Sequence, residues 1–182
     1  MRAYLETRID SERLVLRPLS VDDAEALYAM YLDPEVMRYM NGPYTGTLNQ
    51  LRERLAARID EHENDGYGLY ATELRESREL IGRCGHLRWT IEGKTEFEVG
   101  YLIARRHWGK GYATEAARAL LEDGFGRFGV PHMISLIHPE NVASQRVAEH
   151  NGLRHERDVS VQGISYPTVR LYKTTRAEFT AR

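Results

Sequence analysis

The 182-residue sequence contains little cysteine, no excess charge of one sign and no long apolar run. With Cys84 as its one cysteine, the chain forms neither an internal disulfide nor a zinc site built from several cysteines. Lysine and arginine number 25 against 27 acidic residues, a balance that argues against nucleic-acid binding, which usually needs a strongly basic face. No stretch approaches the roughly 20 apolar residues that span a bilayer, and the first ten residues hold no signal-peptide run. The 7 histidines show no paired spacing for a metal. We therefore expect a cytoplasmic protein that binds no nucleic acid, membrane or metal.

Hydrophobic periodicity predicts one domain over residues 1–182 with a core at about 11–174, since the chain has room for one core and shows no repeat or linker. Alternating apolar residues predict strands at 13–19, 67–74, 79–88 or 79–91, 95–103 and 131–138, and a closing hairpin of 153–161 with 165–173. Ser20 with Asp23, and Thr47 with Gln50, have the spacing of capping boxes. Helices are predicted from these boxes to about 32 and 63, briefly after Asp33, at Tyr112–Phe128 and at 143–150. The element order predicts an α/β fold with a mixed sheet.

A basic turn with two glycines lies between a predicted strand and the helix that begins at Tyr112. Gly109 and Gly111 are two residues apart, and Arg105, Arg106 and Lys110 add positive charge. The first N–H groups of a helix are unpaired and lie at the positive end of its dipole, so a glycine turn that enters a helix can bind an anion. Glycine also permits positive φ and lets a phosphate approach the backbone. We expect a phosphate or pyrophosphate site here; the alternative is a tight turn with solvated basic residues.

Two common phosphate motifs do not fit this turn. A Walker A loop would carry Lys-Ser/Thr after its last glycine, where Tyr112 stands. A dinucleotide fingerprint would have a small residue where Thr114 stands, and an acidic residue about 20 positions on at the end of a second strand, where a helix is predicted instead.

Three ordered segments resemble one family over nearly the whole chain. "RHWGKG" (106–111) matches the R/Q-x-x-G-x-G/A motif of the GCN5-related N-acetyltransferases (GNAT), while "ERLVLRPLSVDDAEAL" and "NVASQRVAEHNGLRHE" resemble the RimJ/RimL-like branch, which includes ribosomal-protein N-terminal acetyltransferases. The resemblance implies the GNAT fold, whose mixed and mostly antiparallel twisted sheet splays at the acetyl-CoA site. It also implies direct transfer of an acetyl group, in a ternary complex, from acetyl-CoA to the primary amine of a small molecule or protein N-terminus, by a monomer or homodimer.

The family's cofactor contacts carry over to particular residues of this chain. Ile103 is expected to offer its backbone to the pantetheine arm, and Asn141 to bond the pantetheine amide, although Asn141 also suits a helix N-cap. The phosphates are expected to lie against one run of residues, mainly through main-chain N–H groups: Arg106, Trp108, Gly109, Lys110, Gly111, Tyr112, Ala113 and Thr114.

Acetyl transfer also needs a neutral amine, and most such sites therefore need a proton acceptor. Glu98, in "EFEVGY", approaches the expected splay and is our candidate base; the alternative is a solvent-facing glutamate. Glu115 is weaker, because an acid in the first turn of a helix is favoured by the dipole alone. Many family members carry a tyrosine acid where this chain has Ala148. In the resembling branch a serine takes the place of this tyrosine near the sulfur of the departing CoA, and here that serine is Ser144. The alternative role of Ser144 is a capping contact at the start of a helix.

The acceptor is the least determined part of the prediction. Strand alternation places Glu98 on one face of its strand with Glu96, Gly100 and Leu102. The segments 33–46 and 162–167 are expected to cover the acceptor cleft, and they favour a singly charged amine on an apolar or peptide-like carrier. His138 is a candidate for substrate contact, and a further set could line the pocket or belong to the core: Met37, Tyr39, Trp89 and Tyr166. Two other readings stay open, a non-catalytic acyl-CoA-binding or sensing domain and an interaction protein with a degenerate cofactor site.

Overall fold

The computed structural model describes residues 4–40 and 42–181, so residues 1–3, Asn41 and Arg182 of the predicted domain lie outside the described residues. The strands are β1 (Ile9–Asp10), β2 (Leu14–Pro18), β3 (Leu69–Leu74), β4 (Leu80–Ile91), β5 (Lys94–Ile103), β6 (His132–Ile137), β7 (Arg154–Val159) and β8 (Val169–Thr175). The α-helices are α1 (Ala24–Leu32), α2 (Pro34–Met37), α3 (Leu48–Asp65), α4 (Tyr112–Phe128), α5 (Val142–His150) and α6 (Arg176–Thr180). Single 3₁₀ turns occur at Tyr4–Glu6, Val21–Asp23 and Arg105–His107.

Within residues 4–40 and 42–181 the eight strands form one sheet in the order β1-β2-β3-β4-β5-β6-β8-β7. Every neighbouring pair is antiparallel except β5 and β6, which run parallel. A parallel neighbour cannot be joined by a tight turn, and the crossover from β5 to β6 is made by α4. The expected mixed and mostly antiparallel sheet with flanking helices is confirmed.

The helix ends follow the predicted capping signals. The Oγ1 atom of Thr47 accepts a hydrogen bond from the N–H of Gln50 at 3.2 Å, and the Gln50 side chain accepts one from the N–H of Thr47 at 2.8 Å. Ser20 and Asp23 form the same reciprocal pair at the 3₁₀ turn before α1. Such caps satisfy N–H groups that the helix leaves unpaired, and each contributes roughly 1 kcal/mol.

Apolar side chains cover the two sheet faces with different helices. On one face α4 packs Leu120 and Leu121, both fully buried, against Val99 and Ile103 of β5. On the other face α1, α2 and α3 pack over Leu102 and neighbouring strand residues. The predicted alternation along β5 is therefore confirmed, and it directs Glu98 and Leu102 to the face that α1–α3 cover.

Three differences from the predicted map have a local cause. The short strand β1 and the helix α6 were not predicted, because neither offers enough residues for a periodic pattern. The final strand begins at Val169 instead of 165, because Pro167 lacks an N–H to donate and its carbonyl accepts the Ser160 hydroxyl at 2.7 Å. Residues 162–167 form a loop of turns and bends between β7 and β8.

A buried ion cluster ties β2 to β3, and its loss should destabilise the fold. The guanidinium of Arg17 donates to Asp23 at 2.6 Å and to Glu73 at 2.7 Å, and both carboxylates are almost fully buried. Arg17→Met would leave Asp23 without its arginine partner and Glu73 with Arg78 at 3.3 Å, so we expect the free energy of unfolding to fall by about 3 kcal/mol in urea titrations. Arg8→Met removes an exposed ion pair with Asp10 and should leave the midpoint nearly unchanged. Equal midpoints for the two variants would contradict this account.

Candidate active site

A cleft of about 830 Å³ opens where β5 and β6 separate. Its walls are β4 and β5 on one side and the end of β6 with the start of α5 on the other. The glycine turn and the first residues of α4 close one end, while α2, the residues after it and the 162–167 loop cover the other. The glycine turn and the predicted base thus share one cleft.

The two strands separate directly after one paired position. In the described chain β5 and β6 pair where Glu98 lies opposite Ile134. Ala104 donates to the carbonyl of Ile81 at 2.8 Å, so by antiparallel alternation the even-numbered positions of β5 bond to β4. The N–H and C=O groups of Val99, Tyr101 and Ile103 are therefore directed towards the gap.

Side chains satisfy the backbone groups at the start of this gap. The Ser135 hydroxyl donates to the carbonyl of Val99 at 2.8 Å. The N–H of Leu136 donates to Oε1 of Glu98 at 3.0 Å, in place of a strand carbonyl. A buried backbone group left unpaired costs about 1–3 kcal/mol, so these two contacts allow the strands to diverge at this point.

Glu98 is buried at this junction, so the alternative of a solvent-facing glutamate is wrong. The residue is 6% exposed, and its Oε2 atom accepts the indole N–H of Trp89 at 2.5 Å. Burial raises the pKa of Glu98 above its ordinary value, and the hydrogen bonds from Leu136 and Trp89 oppose that rise. Glu98 also lines the cleft, where a carboxylate with a raised pKa can accept a proton from a bound group.

The glycine turn has the predicted backbone. Gly109 and Gly111 have φ values of +74° and +81°, which side chains rarely adopt, and both line the cleft. Gly111 precedes α4 without any side-chain cap, and Tyr112, Ala113 and Thr114 of the first helical turn also line the cleft. Their N–H groups have no partner within the helix, so the backbone here fits a phosphate-bearing ligand.

Glu115 fixes this turn instead of facing the cleft. Its carboxylate accepts hydrogen bonds from the N–H of Arg13 at 2.6 Å, the Arg13 guanidinium at 2.7 Å and the Ser11 hydroxyl at 2.7 Å. Burial pushes the pKa of Glu115 upward, but the bonds from Arg13 and Ser11 outweigh it, so the pKa is lowered. Arg13 also donates to the carbonyl of Lys110 at 3.0 Å, which ties the turn to the edge of the sheet.

The other predicted cofactor residues divide into two groups. Ile103 and Trp108 line the cleft, and the Trp108 indole donates to the carbonyl of Ile103 at 2.7 Å. Among the described residues, Arg106 and Lys110 do not line it. Arg106 is instead paired with Glu79 at 2.8 Å.

Asn141 and Ser144 lie at the start of α5, on the wall that faces β5. The Oδ1 atom of Asn141 accepts the N–H of Ser144 at 3.1 Å, so the N-cap prediction for Asn141 is confirmed. The cap uses the side-chain oxygen and leaves the amide NH₂ as a separate donor. Tyr101 joins the two walls, because its hydroxyl donates to the carbonyl of Ser144 at 2.9 Å.

Aromatic rings cover the opposite end of the cleft. Tyr39 stacks on His138 with ring centroids 4.9 Å apart, and Tyr166 meets His138 edge-on at 4.3 Å. The Tyr166 hydroxyl donates to the carbonyl of Arg38 at 2.8 Å, which joins the 162–167 loop to the residues after α2. Of the remaining predicted lining residues, Trp89 lines the cleft, whereas Met37 is buried in the core beneath α1 and α3.

Arg83, Tyr101 and Ser135 are among the residues of this cleft that were not predicted from the sequence. Arg83 and Ser135 carry a detectable signal, because each is a polar residue with a non-polar residue directly before and after it in its strand. Tyr101 does not, because a tyrosine on the core face of a strand is expected in any sheet.

The described residues offer neither a membrane-spanning helix nor a metal cluster. None of their helices combines the length and apolar character that crossing a bilayer requires. They also contain no group of three or more histidine, cysteine, aspartate or glutamate side chains placed to hold a metal ion.

Known proteins share both the sequence pattern and the fold. Residues 13–154 match the family described as "Acetyltransferase (GNAT) domain". The chain is 37% identical to the uncharacterized protein YkkB of Bacillus subtilis, over 85% of this chain and 89% of that protein. A GNAT-family acetyltransferase from Bacillus anthracis superposes with a TM-score of 0.79 at 27% identity, covering 94% of this chain and 100% of that one. RimJ of Mycobacterium smegmatis, solved in complex with a CoA disulfide, has the same fold, with a TM-score of 0.79 at 21% identity over 98% and 91% of the two chains.

The family match covers both the glycine turn and the split between β5 and β6. The chain therefore belongs to the GNAT family of N-acetyltransferases, which use acetyl-CoA as the acetyl donor.

Proposed function

We propose that this protein acetylates a primary amine by direct attack of the amine on acetyl-CoA in a ternary complex. The observation that carries the proposal is the position of a buried carboxylate, Glu98, at the junction of two diverging strands whose gap leads to an uncapped helix N-terminus. One cleft thus contains an anion site, then strand N–H and C=O groups directed towards the gap, and then a proton acceptor.

The glycine turn is the proposed phosphate site. Gly109 and Gly111 let the pyrophosphate approach the backbone, and the N–H groups of Tyr112, Ala113 and Thr114 donate to it. Trp108 holds the carbonyl of Ile103, while the N–H of Ile103 is directed towards the pantetheine arm. The free amide NH₂ of Asn141 donates to the same arm from the opposite wall.

Arg106 and Lys110 have a weaker proposed part in phosphate binding. Both side chains lie outside the cleft, and Arg106 is engaged by Glu79. They contribute positive potential at the entrance, which attracts an anionic ligand without fixing its geometry.

Glu98 is the proposed general base. A lysine or terminal amine is largely protonated near neutral pH, with a pKa of about 10.4 or about 7.7–8.0, and it must lose a proton before it attacks. The raised pKa of Glu98 improves its match to this task. Ser144 is proposed to hydrogen-bond the departing sulfur, since Ala148 stands where many family members carry a tyrosine. A thiol with a pKa of about 8.5 also leaves as its thiolate with little assistance.

A non-catalytic acyl-CoA-binding domain is the second candidate. It would need the glycine turn and the strand gap but not a carboxylate with a raised pKa facing the thioester. Release of CoA thiol that depends on an added amine distinguishes the enzyme from this alternative.

CoA binding should depend on Gly111. Gly111→Val places a branched side chain at φ +81° where a phosphate must approach, so binding should weaken by several kcal/mol and the Kd should rise about 100-fold or more. Gly129→Val is the matched control, because Gly129 ends the same helix at φ +66°, away from the cleft. Calorimetric titration should show an unchanged Kd for that control. A folded Gly111→Val protein with normal affinity would contradict the phosphate site.

Turnover should depend on the Glu98 carboxylate. Glu98→Gln should lower kcat/KM by roughly 10²- to 10⁴-fold at neutral pH with little change in CoA affinity, and the deficit should shrink as pH rises because the amine then deprotonates unaided. In the wild type, activity should fall as pH drops through the raised pKa of Glu98, because the base becomes protonated.

Two controls separate the base from its structural contacts. If the oxygen of the new glutamine kept the bond to Leu136, its NH₂ group would face the Trp89 N–H, and two donors would meet. The substitution should therefore also be made in a Trp89→Phe background, which removes the second donor. Glu96→Gln changes a carboxylate on the same strand that pairs with His132, outside the cleft, and should retain activity. A pH-independent loss in both backgrounds would assign Glu98 to structure alone.

Monoamines and peptide N-termini should be better acceptors than polycations. The described carboxylates that line the cleft are Glu35 and Glu98, while Asp33 lies outside it and caps α2 through the N–H of Glu35 at 2.9 Å. A polyamine or aminoglycoside would need several carboxylates as water is displaced. We expect higher kcat/KM for peptides and small apolar amines than for spermidine or kanamycin, measured in one buffer. A polycation that is superior by tenfold or more would overturn this expectation.

A further inference from the structure

Arg83 is a charged residue of the cleft that the proposed chemistry does not use. It lies on β4 and is partly buried, and its side chain lines the cleft. Its Nε atom donates to the Tyr31 hydroxyl at 2.6 Å, and no carboxylate among the described residues forms an ion pair with it. An arginine remains charged at any ordinary pH, so this guanidinium enters the cleft with unused donors.

The sheet register places Arg83 on the same face as Glu98. Arg83 lies opposite Leu102, and Leu87 lies opposite Glu98, so four residues of strand separate the two positions. Between them the cleft floor is Gly100, which has no side chain of its own, with the Leu87 side chain beside it at 3.2 Å from where a Cβ would lie. At about 3.3 Å per residue the separation is about 13 Å, which an arginine side chain and a short amine-bearing ligand can span together.

Tyr31 holds the guanidinium in this position. Tyr31 belongs to α1 and is 9% exposed, and the Arg83 guanidinium carbon lies 5.5 Å from the centre of its ring. The carbonyl of Tyr31 accepts the N–H of Tyr44 at 3.0 Å, which links this contact to the segment above the cleft. The Tyr31 hydroxyl accepts the hydrogen bond from Nε, so the two terminal NH₂ groups of Arg83 can donate to a ligand.

The remaining charges of the cleft favour an anion on the acceptor. Apart from the proposed base Glu98, the described charged lining residues of β4, α2 and the segment after α2 are Arg83 and Arg38 against Glu35. A partly desolvated guanidinium gains most from a carboxylate, because the planar fork makes two charge-assisted hydrogen bonds. Resting on the proposed acetyl transfer, we propose that the acceptor carries a carboxylate as well as its amine, and that Arg83 binds the carboxylate while Glu98 faces the amine.

Matched acceptors test the proposal directly. β-Alanine and γ-aminobutyrate should be compared with propylamine and butylamine, by kcat/KM from thiol release. Glycyl-glutamate should be compared with glycyl-glutamine, both amidated at the C-terminus so that the γ-carboxylate is the one difference in charge. The wild type should favour the acid of each pair by tenfold or more. Arg83→Gln should lower kcat/KM for the acids by roughly 10- to 100-fold, mainly through KM, and leave kcat/KM for the partners that lack the carboxylate nearly unchanged. Arg83→Lys should lower kcat/KM for the acids less than Arg83→Gln does, because lysine keeps the positive charge.

Two further variants keep the test independent of folding. Arg88→Gln is the matched control on the same strand, because Arg88 is exposed and lies outside the cleft, and it should not alter the preference. Tyr31→Phe removes the hydroxyl that orients Arg83 and should reduce the preference for acids with little effect on the amines, even if Arg83→Gln folds poorly.

Binding separates failure of this inference from failure of acetyl transfer. The same compounds should be titrated by calorimetry into protein saturated with CoA. Turnover without any preference for the acids, or an equal loss for both partners in Arg83→Gln, overturns the role of Arg83 and leaves acetyl transfer intact. Binding of the acids that depends on Arg83, without turnover, supports the site and contradicts the enzyme. Absence of both turnover and acid-selective binding overturns the inference.

Discussion

The rest of this structure depends on how a continuous sheet divides without leaving buried backbone groups unpaired. At the start of the gap the carboxylate of Glu98 accepts the N–H of Leu136, and the hydroxyl of Ser135 donates to the carbonyl of Val99. Each contact replaces a bond that strand pairing would have supplied, and each avoids a cost of about 1–3 kcal/mol. The same arrangement buries Glu98 and raises its pKa, so the group that opens the sheet is also the group suited to accept a proton.

This constraint organises the two ends of the cleft. Towards the glycine turn, the walls present backbone donors from β5 and from the first turn of α4, and Glu115 with Arg13 fixes their position. Towards the aromatic end, side chains take over: His138 with its two tyrosine neighbours forms the cover, and Arg83 supplies charge. Backbone donors suit a ligand that every family member shares, whereas side chains can vary with the acceptor.

Much of this arrangement follows from local sequence. Tyr112–Phe128 was predicted to the residue, because its apolar spacing and the flanking glycines act within a few positions. The positive φ of Gly109 and Gly111 and the face of β5 that carries Glu98 follow from equally local rules. The burial of Glu98 does not, because it results from Leu136, which is 38 residues away, and from Trp89 on the neighbouring strand. The pairing of Arg106 with Glu79 is likewise set by the turn between β3 and β4, which periodicity cannot place beside residue 106.

Amide hydrogen exchange with and without CoA tests the central claim most directly, namely that the gap between β5 and β6 is the cofactor cleft. The account predicts that CoA slows exchange at Ile103, at residues 111–114 and at the start of α5, while peptides in β1, β2 and β7 keep their rates. Protection confined to other segments, or none at saturating CoA, would contradict it.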